Sequence, residues 1–194
     1  MAAVRRTGYD LGEGAGHRGL TDFARSWALR GLILRVGFGH DTHRLGEGRP
    51  LILGGLTIDH PRGLIGHSDA DVVLHAVADA LLGAAGLGDI GEHYPDTDPA
   101  NRGLDSAVLL AKVVSLVAER GWRPVNCDIV IHAQEPKLTP HKPALRANVA
   151  RLIGVEPDSV NVKAKTGEHV GPVGRAEAIV CETVVLIERR PTSP

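Results

Sequence analysis

Along this chain the apolar residues fall into runs of two kinds. Leu34-Arg35-Val36-Gly37-Phe38, Pro50-Leu51-Ile52-Leu53-Gly54-Gly55, Asn126 to Ala133, Val160 to Lys165 and Ala178 to Ile187 are short and bounded by Gly, Pro or polar clusters. They read as strands. Asp105 to Arg120 follows a helical period instead: Leu109, Leu110, Val113, Val114, Leu116 and Val117 share one side, while Lys112, Ser115 and Glu119 share the other. A second helix opens at Ser68, with Ser68 as N-cap and Asp71 at the capping-box position, and runs to about Ala85. Pro140 to Ile153 makes a third. The alternation predicts an α/β (α+β) domain over residues 34–190, with a four-stranded mixed sheet covered by helices. Residues 86–103 form a long Gly/Pro-rich connection, and loops of that length are usually functional.

Residues 1–33 break the pattern. They are Gly- and Arg-rich without periodicity, apart from a helical turn or two near Leu20 to Leu29. They lack the apolar core of a signal peptide and carry acids that transit peptides avoid. The expectation is a flexible N-terminal extension with no function of its own.

Candidate chemistry begins in Gly39-His40-Asp41-Thr42-His43-Arg44-Leu45-Gly46, which could be a metal site, a catalytic dyad or a polar strand end. In an extended segment Asp41 and His43 point one way, and His40 and Thr42 the other. One carboxylate oxygen and one imidazole nitrogen on a shared face suit Zn²⁺. On the helix from Ser68, Asp71, His75 and Asp79 form a stripe at i, i+4 and i+8. That helix has no Lys, Arg or Glu after its start, so it is mostly buried, and a buried Asp-His-Asp stripe needs partners. A core histidine satisfied by two acids would explain it. So would a metal ligand supported by Asp79 behind it, and the upstream pair favours the ligand. Asp41, His43 and His75 then make a three-ligand site with its fourth tetrahedral position open, the arrangement of catalytic zinc. Among the loop acids Asp89, Asp96 and Asp98, one is expected to serve as a turn former or cap, leaving the others to accept hydrogen bonds from substrate hydroxyls. Glu168, at a strand end, is a candidate ligand for a second, harder cation.

Composition removes other classes. Lys and Arg total 22 and Asp and Glu 23, so no net field recruits nucleic acid or an acidic membrane. Two Trp, two Tyr and two Phe leave little for base stacking. Cys127 and Cys181 lie far apart without a C-x-x-C, which fits a reducing, cytoplasmic compartment. No apolar run approaches the roughly 20 residues of a membrane span.

With these residues assembled, the chain resembles the 2-C-methyl-D-erythritol 2,4-cyclodiphosphate synthases of non-mevalonate isoprenoid biosynthesis. The motifs are G-x-D-x-H at 39–43, G-H-S-D-A-D-V-V-L-H-A-V-A-D-A-L-L-G-A-A-G-L-G-D-I-G at 66–91 and Y-P-D-T-D-P at 94–99. A-Q-E-P-K-L at 133–138, N-V-K-A-K-T-G-E at 161–168 and G-R-A-E at 174–177 follow in order. The resemblance implies a homotrimer whose sheets pack around a central axis, with active sites between subunits. It implies Zn²⁺ on Asp41, His43 and His75, and Mg²⁺ or Mn²⁺ on Glu168. His67 and Ser68 would meet phosphate, and Asp89, Gly91, Tyr94, Asp96 and Asp98 would surround the erythritol portion. Ala133, Pro136, Lys137, Leu138, Ala164, Lys165 and Thr166 would form the cytidine and phosphate side. The implied reaction closes the 2-phosphate of 4-diphosphocytidyl-2-C-methyl-D-erythritol 2-phosphate on its β-phosphorus and releases CMP.

Two departures stand out. Lys165 and Gly167 replace a run of threonines, and G-P-V-G-R-A-E-A at 171–178 replaces G-F-T-G-R-G-E-G. The second lies where such trimers hold an isoprenoid diphosphate in an axial cavity beside Arg175 and Glu177, so Pro172, Ala176 and Ala178 bear on that ligand. The competing readings are another zinc-dependent phosphate-ester enzyme and a non-catalytic trimeric isoprenoid-diphosphate-binding protein.

Overall fold

A computed structural model describes residues 33–95, 97–98, 101 and 103–189; the expected N-terminal extension and Asp96 lie outside the described residues. Its long strands are β1 (Leu34–Gly46), β5 (Trp122–His132), β6 (Val160–Lys165) and β7 (Ala178–Arg189), joined by the short β4 (Gly63–Ile65). They form one sheet in the order β4-β1-β7-β5-β6, in which β5 and β6 run parallel and the other neighbours antiparallel. The sheet thus has five strands rather than the expected four. The addition is three residues long and pairs with the far end of β1, Arg44 to Gly46, too short for periodicity to reveal. The expected strand at Pro50–Gly55 stands apart, as a hairpin of β2 (Leu51–Leu53) and β3 (Leu56–Ile58) turned by Gly54 and Gly55 at φ 58° and 74°.

β1 is longer than its apolar run, because the motif residues 39–46 stay in the ladder: Asp41 pairs with Cys181 and His43 with Ile179. β5 likewise begins at Trp122 rather than Asn126, reached through a register shift between Pro124 and Asn126. Trp122 is buried at the end of the sheet, with the guanidinium carbons of Arg35 and Arg189 4.4 and 5.3 Å from its ring centroid.

Helix α1 (Val72–Ala85) crosses β1 and β7. All its residues except Asp79 and Gly83 are buried. Its N-cap is Asp71, not Ser68. The Asp71 carboxylate accepts from Val73 and Leu74 at the helix start and also from Gly54 and Gly55 of the hairpin turn, so one side chain joins two elements. Burial raises the Asp71 carboxyl above its ordinary value, against the pull of hydrogen bonds from Gly55, Leu74 and Gly54.

Two glycines on β1 let α1 come close. A Cβ on Gly37 would lie 1.8 Å from the Ala80 carbonyl oxygen, and one on Gly39 1.9 Å from that of Ala76. The long connection contains α2 (Ile90–His93), capped by Asp89, which accepts from Glu92 at 3.0 Å. Asp89 is therefore the loop acid that forms a cap. Helix α3 (Ser106–Glu119), capped by Asp105, packs on α1, and its buried residues include Leu109, Leu110, Val113 and Val117. The third expected helix begins two residues late: Thr139–His141 is a 3-10 turn and α4 runs Lys142–Ile153. A one-turn helix, α5 (Gly171–Gly174), precedes β7.

The sheet's other face is uncovered within the described residues. Val36, Phe38 and Val184 on it are 67, 61 and 45% exposed.

Candidate metal centre

Asp41 and His43, two residues apart on β1, meet His75 from the first turns of α1. The Asp41 Oδ2 lies 3.0 Å from His43 Nε2 and 3.0 Å from His75 Nδ1, and the two nitrogens are 3.2 Å apart. Tetrahedral Zn²⁺ with bonds of about 2.0–2.1 Å sets its ligand atoms about 3.3 Å apart, so this triangle fits the ion. Among the described residues no other three His, Cys, Asp or Glu side chains converge so. Burial alone would raise the Asp41 carboxyl, but hydrogen bonds and charge from His43 and His75 outweigh it and hold the group well below the carboxylate range. Burial opposes charge on His75 as well, and the carboxylates of Asp41, Asp71 and Asp69 overcome it and raise the imidazole.

The open side of the triangle faces a cavity of about 500 Å³ lined by Gly66, His67, Ser68, Ile90, Gly91, Tyr94, Pro95, Asn101, Leu104 and Leu109 together with Asp41, His43 and His75. Of the expected substrate-side residues, His67, Ser68, Gly91 and Tyr94 are here. Ile90, Leu104 and Leu109 form an apolar wall that the motif reading did not single out, because apolar loop and helix residues carry no distinctive signal. Asp98 lies in the adjoining loop.

Asp79 does not reach His75: its Oδ1 accepts the Ile90 N–H at 2.8 Å and fixes the start of α2. The groups behind His75 are hydroxyls. Its Nε2 lies 2.9 Å from Ser106 Oγ and 3.2 Å from Ser68 Oγ. Ser106 is fully buried, and its hydroxyl and backbone N–H both meet the Asp69 carboxylate. Neither Asp69 nor Ser106 stood out in the sequence, where each looks like an ordinary helix-start residue.

The expected nucleotide side lies elsewhere, at the ends of β5 and β6. The Ala133 N–H bonds to the Lys165 carbonyl at 2.9 Å, which sets Ala133–Leu138 beside Ala164–Thr166. The Glu135–Pro136 peptide is cis. Arg62 reaches Glu135 and donates to the Ala176 carbonyl at 3.0 Å, tying this loop to the segment before β7. Glu168 has φ 48° and accepts from the Thr166 hydroxyl at 2.6 Å. Arg175 pairs with Glu177 through bonds of 2.8 and 3.0 Å. None of these residues lines the cavity at the metal triangle.

A mixed sheet backed by a buried helix carries, at their junction, an open O,N,N triangle that could hold a divalent metal ion. The chain belongs to the YgbB family, whose model matches residues 34–188. It is 61% identical over 155 residues to the 2-C-methyl-D-erythritol 2,4-cyclodiphosphate synthase of Dechloromonas aromatica, covering 80% of this chain and 97% of that one. A solved 2C-methyl-D-erythritol-2,4-cyclodiphosphate synthase, in a form bound to CDP, superposes with a TM-score of 0.73 at 44% identity, covering 79% of this chain and 99% of that one. The bifunctional IspDF of Campylobacter jejuni superposes with a TM-score of 0.79 at 42% identity; the match covers 81% of this chain but 43% of that one.

Proposed function

We propose that this chain converts 4-diphosphocytidyl-2-C-methyl-D-erythritol 2-phosphate to 2-C-methyl-D-erythritol 2,4-cyclodiphosphate and CMP, acting as a phosphorus–oxygen lyase in non-mevalonate isoprenoid biosynthesis. The observation that carries the reading is the Asp41–His43–His75 triangle opening into its cavity, in a chain 61% identical to a named synthase of this kind. Asp41, His43 and His75 would hold Zn²⁺, and Glu168 a Mg²⁺ or Mn²⁺ ion. Bound there, the cations would neutralise the attacking and leaving phosphates.

The attacking group is already a phosphate anion, so no side-chain base is required. The protein's task is to fold the substrate and exclude water. His67 and Ser68 at the cavity mouth would orient phosphate, and Gly91, Tyr94, Asp98 and the apolar wall would hold the erythritol portion. Ala133, Pro136, Lys137, Leu138, Ala164, Lys165 and Thr166 would take the cytidine side.

Because that side lies outside the metal cavity, a site completed between subunits fits best, and we assign the uncovered sheet face to a homotrimer. Exposed Val36, Phe38 and Val184 support that assembly. Arg175, beside the proposed axis, would meet any isoprenoid diphosphate held there. The two buried, free cysteines suit a cytoplasmic protein. Residues 34–190 would carry the activity, so deleting residues 1–32 is expected to leave the trimer and turnover intact; a monomeric product would refute that.

Incubation with the cytidyl substrate, Zn²⁺ and Mg²⁺, followed by phosphorus NMR, tests the reaction. Cyclic diphosphate with CMP is the expected outcome. Release of inorganic phosphate would point to a hydrolase, and no turnover by zinc-loaded protein would point to a binding protein.

A further inference from the structure

We propose that Asp69 and Ser106 are positioning residues that hold His75 in its Nε2–H tautomer and so make Nδ1 the ligand atom. The inference rests on the reading of Asp41, His43 and His75 as a metal site, and its argument is one of hydrogen-atom accounting. A carboxylate has lone pairs but no hydrogen to give. The Asp69 carboxylate receives the Asp71 N–H at 3.1 Å, the Ser106 N–H at 3.0 Å, and the Ser106 hydroxyl in a still closer contact. The single hydrogen of Ser106 Oγ therefore goes to Asp69. Only lone pairs of that oxygen remain to face His75 Nε2 at 2.9 Å, so Nε2 must be the donor.

A neutral imidazole has one N–H, and once it lies on Nε2 the other nitrogen carries a lone pair. That nitrogen, Nδ1, is the atom 3.0 Å from Asp41 Oδ2 and 3.2 Å from His43 Nε2. The relay thus leaves the Nδ1 lone pair of the neutral ring facing the point where Asp41 Oδ2 and His43 Nε2 also meet. Ser68 Oγ, 3.2 Å from the same Nε2 and already accepting the Ala70 N–H at 3.0 Å, is a second acceptor, and its own hydrogen is left for the cavity.

The relay also joins two elements. Ser106 is the first residue of α3, and the Asp69 N–H bonds to the Leu104 carbonyl at 3.1 Å, so the turn before α1 and the start of α3 are fastened together behind the ligand. A shift of α3 would rotate the acceptor away from His75. The end of the substrate-side connection is in this way mechanically linked to the metal's nitrogen ligand.

The test uses nitrogen-15 histidine NMR on the metal-free full-length protein at a pH above the His75 titration, with His75→Gln identifying the resonances. The expected spectrum shows His75 protonated on Nε2 and bare on Nδ1; protonation on Nδ1 would overturn the proposal without touching the metal assignment. Zinc affinity is then measured by chelator competition. Ser106→Ala should bind about 10–100-fold more weakly, as loss of a supporting partner typically does, while circular dichroism stays native. Asp69→Asn should lose affinity as well, because an amide beside Ser106 frees the hydroxyl hydrogen to flip the tautomer. Unchanged affinity in a folded Ser106→Ala protein would refute the relay. If the wild-type protein bound no zinc, the metal reading would fall, and the NMR spectrum would still decide the tautomer.

Discussion

Gly37, Gly39, Asp41 and His43 face helix α1, while Val36, Phe38, His40 and Thr42, interleaved with them on β1, face away. The inner set is small or belongs to the triad that could hold a metal ion. It brings backbone oxygens of α1 within 2 Å of where Cβ atoms would stand on Gly37 and Gly39, and it sets Asp41 and His43 against His75 on the same helix. The outer set is bulky, apolar in its first half, and left bare. One strand therefore carries two separate jobs, and a substitution should reveal which job it touches by what it removes: fold, metal or assembly.

The largest effect is expected from Gly39→Val. Its side chain would collide with the Ala76 carbonyl, a backbone atom that cannot turn aside. The cost should exceed the about 1–3 kcal/mol of ordinary overpacking, and thermal melting should find little folded protein. A near-normal melting temperature would mean the helix can retreat from the sheet, and the contrast between faces would weaken. Next is His75→Ala, expected to keep native circular dichroism but to lose zinc by elemental analysis, and cyclisation with it. Full zinc occupancy in that protein would remove His75 from the ligand set.

On the outer face, Phe38→Asp should leave zinc bound but shift the mass seen by light scattering from the proposed trimer to monomer, since Asp41, His43 and His75 lie within one chain. Loss of zinc together with assembly would show that the two faces are not independent. The smallest effect concerns Cys127 and Cys181, both buried. Burial, helped by Asp128, pushes the Cys127 thiol up to about 12, and burial raises Cys181 well above its ordinary value. Native protein should resist iodoacetamide at neutral pH, and both thiols should react in denaturant. Labelling of the folded protein would reveal an opening of the inner face.

The parts legible in sequence are those that rest on local pattern. Alternation along β1 put Asp41 and His43 together, and the run of Ala, Val, Leu and Gly from Val72 to Ala85, broken only by His75 and Asp79, announced a buried helix carrying His75. What stayed hidden depends on distant partners. Ser68 satisfied the capping-box spacing, but Asp71 caps the helix because the hairpin turn at Gly54 and Gly55 offers it two more donors. Asp79 looked like support for His75 from its i+4 spacing, yet the chain returns at Ile90 and takes that carboxylate. Ser106 arrives behind His75 from 31 residues away, and no period encodes that meeting. β4 is legible only through its pairing with Arg44 to Gly46.

Trp122, held between Arg35 and Arg189 where β1, β5 and β7 end, offers an optical handle on these distinctions. The sequence has two tryptophans, Trp27 and Trp122, so a chain begun at residue 33 would emit from Trp122 alone. A buried indole emits at shorter wavelength than a hydrated one, so a red shift would announce that three strand ends have come apart. Gly39→Val should shift the emission, and His75→Ala should not. The colour of one residue's fluorescence would then separate a lost fold from a lost ion in the same cuvette.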